Sequence, residues 1–241
     1  QVMTDFAALR SANAKRWANA RLTRNFSLVA KHLVIPDVKL RYQAVAAKTG
    51  VPWAVIAVIH ERESSQDWAA SLAQGDPWNR VSVHVPKGRG TFKSWEEAAI
   101  DALLSCPPFA ARNKDWSIGG TLALLETYNG TGYAKRGIPS PYIWAGTDQY
   151  KSGKYIRDGV FDGEVVDCQL GCAGLLMAMM TFDSTITFSG VTIDPYRTPI
   201  IPQPTAPSFP KLSPISSPAT GLVGAVIASA FSTIFSIFKR K

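Results

Sequence analysis

An uncharged apolar segment of the chain ends abruptly in a group of charges. Residues 51–59 carry no charge, whereas residues 60–63 read His-Glu-Arg-Glu. Pro52 suits the first turn of a helix, so this pattern predicts a buried helix that presents Glu61 and Glu63 at its end. A carboxyl group at the edge of an apolar surface tends to have a raised pKa, as a general acid near neutral pH requires.

Apolar residues at helical spacing predict several further helices. Thr4 is a candidate N-cap for the first, Gly50 a candidate stop for the second, and Ser94 and Glu97 form a capping box before the third. The predicted segments are residues 4–30, as one long helix or two short ones, and residues 38–48, 98–106, 117–126 and 167–182.

The segment after the carboxylate helix has a different pattern. Val81, Val83 and Val85 alternate with polar residues between Gly-Asp-Pro at 75–77 and Pro-Lys-Gly-Arg-Gly at 86–90. Alternation bounded by turn residues predicts a short β-hairpin, or wing. We expect this wing to form one wall of a cleft that faces the carboxylate helix.

Composition changes sharply near residue 186. Eight prolines between residues 195 and 218 indicate an extended linker, and the uncharged residues 221–238 precede Lys-Arg-Lys. At about 1.5 Å per residue, that apolar segment would span roughly 27 Å, which is typical of a membrane-associated helix. Its polar stripe suits either self-association within a membrane or an interfacial position; the stripe consists of Ser229, Ser232, Thr233 and Ser236.

These observations predict a mainly α chain in four parts. They are an N-terminal helical segment (1–37), a helical domain with a small β-hairpin wing (38–185), a Pro-rich linker (186–219) and a hydrophobic tail helix (220–241). The N-terminus lacks the apolar region and cleavage site of an export signal.

The net charge limits the kinds of partner that we expect, and the cysteine pattern bears on disulfides and metal binding. The formal net charge of +8 favours an anionic polymer or surface, but no basic cluster with interleaved aromatics indicates nucleic acid. Cys168 and Cys172 lie one helical turn apart without a second His/Cys cluster, so we expect them and Cys106 to be free, buried thiols. No metal and no cofactor is predicted.

A further segment, residues 137–159, places aromatic rings among glycines and serines. Such rings suit the apolar faces of sugars, although the same residues could simply pack a large loop. The rings belong to Tyr142, Trp144, Tyr150 and Tyr155.

Two motifs resemble the lysozyme-like superfamily of peptidoglycan-cleaving enzymes, especially lytic transglycosylases and phage endolysins. Gly50-Val51-Pro52 with Glu63-Ser64 resembles their catalytic helix, and residues 126–130 resemble their Tyr-Asn-x-Gly element. The resemblance implies that residues 38–185 form a lysozyme-like catalytic domain of the α+β kind, in an enzyme that acts on peptidoglycan strands at the periplasm or cell wall. It also implies a phage-encoded protein that is made in the host cytoplasm. This sequence departs from the transglycosylases after the catalytic helix, where those enzymes usually carry a Gly-Leu-Met-Gln-x-x-Pro element. The implied substrate-binding residues are Ser64, Gln74, Tyr128, Asn129, Gly130, Tyr133, Tyr142 and Trp144.

Cleavage of a β-1,4 glycosidic bond needs a proton donor and a means of handling the oxocarbenium-like centre. Glu63 is the predicted donor; Glu61, two residues away, points about 200° around the helix. With Asp76 as a second carboxylate, or Asp67 behind it, the reaction would be hydrolysis, which we favour. With Glu63 alone it would be transglycosylation to an anhydro product. A non-catalytic glycan-binding or membrane-disrupting protein is the alternative of another class.

Overall fold

The computed structural model of the chain describes residues 5–73, 75–84, 86–189 and 191, all within one compact unit. This part is mainly helical, as predicted, with nine α-helices, one 3-10 turn (Ala110–Arg112) and a two-stranded antiparallel sheet. The helices are α1 (Phe6–Asn19), α2 (Ser27–Leu33), α3 (Pro36–Thr49), α4 (Trp53–Ser64), α5 (Trp95–Ser105), α6 (Ile118–Asn129), α7 (Gly132–Lys135), α8 (Pro141–Trp144) and α9 (Cys172–Phe182), and the strands are β1 (Lys154–Arg157) and β2 (Val160–Asp162).

The N-terminal segment forms two helices, α1 and α2, and its first cap is Asp5 rather than Thr4. The Asp5 carboxylate accepts hydrogen bonds from the backbone N–H groups of Ala7 and Ala8. Helix α3 begins at Pro36, two residues earlier than predicted, because proline fits the first helical position. The expected boundary at residues 37 and 38 therefore lies inside a helix.

Helix α4 is the centre of the core. Every residue from Ala54 to His60 is buried, and α4 packs against α3 on one side and α9 on another. Gly50, with φ of 72°, separates α3 from α4. Non-glycine residues adopt this left-handed conformation at a cost, so the glycine permits the tight turn that aims α4 into the core.

The predicted wing at residues 81–85 is wrong for its described residues, which form an irregular loop. Val81 and Val83 are 56% and 66% exposed. The Asp76 carboxylate accepts from the backbone N–H groups of Val83 and His84, and Ser82 is bonded to backbone within the same loop. Side chains therefore satisfy backbone groups that a hairpin would have paired.

The hairpin lies instead at β1 and β2, in a segment predicted as a loop. Asp158-Gly159 forms its turn, with Gly159 at φ of 70°, and Tyr155 faces Phe161 across the strands. Tyr133 packs edge-on against Tyr155, and its hydroxyl accepts a 3.0 Å hydrogen bond from the Tyr155 backbone N–H. Aromatic packing thus fixes the hairpin to α7.

The cap of α5, the start of α9 and the state of the cysteines agree only in part with the sequence predictions. The Ser94 N-cap is confirmed, since Ser94 Oγ accepts from the Glu97 N–H, but the Glu97 carboxylate accepts from the Lys93 N–H and not from that of Ser94 as a full capping box requires. Helix α9 begins at Cys172, not at residue 167. The three cysteines are free, but Cys168 is exposed rather than buried. The predicted linker lies outside the described residues from 192 onward, as does the entire tail.

Membrane spanning was tested for the described helices only. No single one of them is both long and apolar enough to cross a bilayer. Helices α3 and α4 together have the length and apolar composition of a broken membrane span, with a bend of 112° between them. Helix α4, however, is largely buried in the core.

Candidate active site

Glu63 lies at the C-terminal end of α4 and is partly exposed. Its Oε1 accepts a 2.9 Å hydrogen bond from the hydroxyl of Tyr142 in the short buried helix α8. Burial, together with the negative charge of Glu63, raises the pKa of Tyr142 well above its usual range. The phenol therefore stays protonated and acts as a fixed donor to the carboxyl group.

Tyr128 brings the second sequence motif to the same place. Burial and then the charge of Glu63 raise its pKa well above the usual range, so its phenol also stays protonated. The Tyr128 hydroxyl donates a 3.1 Å hydrogen bond to the Leu72 carbonyl, which ties α6 to the loop after α4. Glu63 is thus hydrogen-bonded to Tyr142 and lies within electrostatic reach of Tyr128, and the three residues come from three separate helices. We call these three residues the Glu63 cluster.

A buried ionic network, formed by Arg62, Asp167 and Lys154, contacts Tyr142 of this cluster. Arg62 Nη2 donates to Asp167 Oδ2 at 3.0 Å, and Lys154 Nζ donates to Asp167 Oδ1 at 3.0 Å. The Arg62 guanidinium also lies 4.7 Å from the centre of the Tyr142 ring. Burial alone would raise the pKa of Asp167, but Arg62 and Lys154 outweigh it, and the pKa is lowered. Asp167 is therefore a charged anchor that links α4 to β1.

Glu61 is held elsewhere. Its Oε2 accepts a 2.6 Å hydrogen bond from Gln66 Nε2, and Gln66 in turn contacts His32 on α2. Ser65 and Gln66 have φ of 53° and 61°, so two successive non-glycine residues adopt the left-handed region directly after the carboxylates. Such backbone strain is concentrated at functional sites.

His60 is a core residue. The Asp67 carbonyl must accept, so Nε2–H donates to it at 3.1 Å and Nδ1 accepts from the Tyr42 hydroxyl at 3.0 Å. The ring packs against Trp68 and Trp95 at 4.5 and 4.6 Å between centroids. Burial lowers its pKa to about 4, so His60 is neutral at pH 7 and serves packing rather than proton transfer.

Asp76 organises its own loop. Its carboxylate accepts three hydrogen bonds, from the N–H groups of Val83 and His84 at 2.9 Å each and from His84 Nδ1 at 2.6 Å. Burial opposes ionisation, but these bonds outweigh it and lower the pKa of Asp76. Asp67, the other candidate, accepts from the Ala69 N–H through its carboxylate. Both carboxylates thus have structural partners.

The remaining predicted substrate-binding residues fall into different environments. Asn129 and Gly130 are exposed at the end of α6, close in sequence to Tyr128, whereas the Ser64 hydroxyl bonds back to the His60 carbonyl. Tyr133 is buried against the hairpin. Gln74 lies outside the described residues.

Trp144 cannot serve as a sugar platform in this structure. It is fully buried, and its Nε1 donates a 3.0 Å hydrogen bond to Asn13 Oδ1 on α1. A ring without exposed surface cannot stack on a ligand, so Trp144 belongs to the core and not to the Glu63 cluster.

Sequence reasoning missed the Arg62–Asp167–Lys154 network. The available signal was Arg62 itself, a cation that follows the uncharged residues 53–59 of a buried helix. A buried cation requires a buried anion, but nothing local in the sequence identifies Asp167 as that anion.

Among the described residues, no group of three or more His, Cys, Asp and Glu side chains could hold a metal ion. Comparison of the chain with protein-family models, with curated proteins and with solved structures finds no match in any of the three.

Proposed function

We propose that this protein cleaves the β-1,4 glycan backbone of peptidoglycan, with Glu63 as the general acid, in a lysozyme-like helical domain. The observation that carries the proposal is the Glu63 cluster: Tyr142 donates to Glu63, and the two motifs that suggested the activity, 65 positions apart at Glu63 and Tyr128, lie within electrostatic reach of each other. A carboxyl group beside two protonated phenols, at the edge of a buried helix, has the chemistry that glycoside cleavage needs.

The hydrogen bond from Tyr142 assigns roles to the two carboxyl oxygens. Oε1 accepts the phenolic O–H, so the acidic proton of neutral Glu63 resides on Oε2. When that proton passes to the leaving glycosidic oxygen, the carboxylate gains charge and its hydrogen bond to Tyr142 strengthens. Tyr142 therefore stabilises the charge that develops on Glu63 during bond cleavage.

A lytic transglycosylase is the second candidate. The observation that favours it is the engagement of Asp76, whose carboxylate is occupied by three hydrogen bonds from its own loop. Without a free second carboxylate to activate water, Glu63 would act alone, first as acid and then as base toward a sugar hydroxyl. This route gives an anhydro sugar, whereas hydrolysis gives a reducing end.

The test is release of soluble muropeptides from purified peptidoglycan by the Glu63→Gln variant. Glutamine matches the shape of glutamate but cannot donate the proton, so we expect release to fall to background while circular dichroism is unchanged. Glu61→Gln is the matched control on the same helix and should retain activity. Wild-type activity in Glu63→Gln would refute the assignment.

The products distinguish the routes. Mass spectrometry of wild-type digests would show reducing ends for a hydrolase and anhydro ends, lighter by one water, for a transglycosylase. A protein that binds glycan without cleaving it would pull down peptidoglycan equally well in the wild type and in Glu63→Gln, and neither would release muropeptides.

A further inference from the structure

A concave site lies between α1 and the α6–α7 region. It is a groove of about 470 Å³, within the size range of small-molecule sites. Its walls are mostly small and apolar; they are formed by Ala8, Leu9 and Ala12 of α1 with Ala134 and Ile138 beyond α6.

Glu126 provides a buried carboxyl group in this groove. It is 2% exposed, and its hydrogen-bond partner in the described part of the chain is the amide of Asn13, at 3.0 Å. Asp167, by comparison, is equally buried but is paired with two cations. Burial raises the pKa of Glu126, whereas the Asn13 amide and the charge of Arg16 act in the opposite direction. The groove leaves room beside this carboxyl group for a cationic group of a ligand.

The groove is separate from the Glu63 cluster. Glu126 and Tyr128 are two positions apart on α6, which is about 200° of rotation around a helix. The Tyr128 hydroxyl donates to the Leu72 carbonyl and lies within electrostatic reach of Glu63, whereas Glu126 bonds to Asn13 of α1. A ligand of the groove would therefore bind on the far side of α6.

Arg16 and Lys135 also line the groove and complete its chemistry. A buried carboxyl group suits an ammonium, the cations suit a carboxylate, and the walls of alanine and leucine methyl groups suit a short apolar side chain. We propose that the groove binds a small zwitterion with these three groups, namely alanine or a short alanyl peptide with free amino and carboxyl ends. The site is independent of whether Glu63 is catalytic.

The test is isothermal titration of the full-length protein with alanyl-alanine, in its L,L and D,D forms. We expect saturable one-to-one binding of at least one form. N-acetyl-alanyl-alanine, which lacks the ammonium, should not bind. Absence of saturable binding by both dipeptides would overturn the proposal.

Two variants locate the binding. Glu126→Gln keeps an acceptor for Asn13 but loses the charge, and should bind the dipeptide roughly tenfold more weakly or worse. Ala12→Leu fills the groove and should abolish binding while leaving Glu126 in place. Equal binding by Glu126→Gln, with its fold verified by circular dichroism, would refute the site. Glu63→Gln should bind as the wild type does, so the groove and the proposed glycosidase activity can fail separately.

Discussion

His60 gives the stability of this protein a specific pH dependence. Its imidazole has a pKa of about 4 in the native state and about 6.5 when unfolded. Between these values the unfolded chain holds one more proton than the native one, so stability falls as the pH drops from about 6.5 to about 4. The difference in pKa corresponds to about 3 kcal/mol of unfolding free energy.

The measurement is urea unfolding of the full-length chain at pH 7, 6, 5 and 4, followed by tryptophan fluorescence, which Trp68 and Trp95 beside the imidazole should report. His60→Gln removes the titrating group. The variant should be less stable than the wild type at pH 7, and this gap should shrink by about 3 kcal/mol on going to pH 4. Carboxylates that also titrate in this range cancel, because they are present in both proteins.

Tyr42→Phe tests whether burial, and not the hydrogen bond from Tyr42, lowers the pKa of His60. It removes the hydroxyl that donates to Nδ1 but leaves the ring buried among the same aromatic residues. Since burial is the main cause of the lowered pKa, this variant should keep most of the pH dependence. A gap between wild type and His60→Gln that stays constant from pH 7 to pH 4 would refute the reasoning.

Three further predictions concern the site, its support and the tail. Tyr142→Phe should lower kcat about ten- to hundredfold and move the basic limb of the pH–rate profile upward, because ionised Glu63 loses its donor; an unchanged profile would contradict this. Asp167→Ala leaves a buried guanidinium unpaired and should cost about 3–5 kcal/mol in urea unfolding, whereas Arg10→Ala, which breaks an exposed pair, should cost about 1 kcal/mol or less. Truncation after Pro218 should preserve activity on isolated cell wall but abolish sedimentation with anionic liposomes; unchanged sedimentation would remove the membrane role of residues 221–241.

Local signals in the sequence were reliable guides to local structure. Gly50 ends α3, Ser94 caps α5, and the charge pattern after residue 59 correctly placed Glu63 at the end of a buried helix. Each of these signals acts within one helical turn, where backbone geometry and capping decide the outcome.

Features that depend on distant partners were not predictable in the same way. The valines at 81 and 83 have the alternation of a strand, yet Asp76 takes their loop's N–H groups and leaves the valines exposed. Trp144 is an aromatic residue of the kind that binds sugars, yet its hydrogen bond to Asn13, 131 positions away, holds it in the core. In both cases, hydrogen bonds to a side chain elsewhere in the sequence override the local pattern.

The position of α1 has a consequence for how the chain folds. Asn13 bonds to Glu126 and to Trp144, residues 113 and 131 positions later in the sequence. During synthesis at about 5–20 residues per second, the first helix emerges on the order of ten seconds before its partners exist. Contacts of this sequence separation also slow folding through the entropy of loop closure. Helix α1 is thus made well before the residues that hold it, and a nascent chain that stops short of Phe188 lacks the ring that packs edge-on against Trp17 of α1.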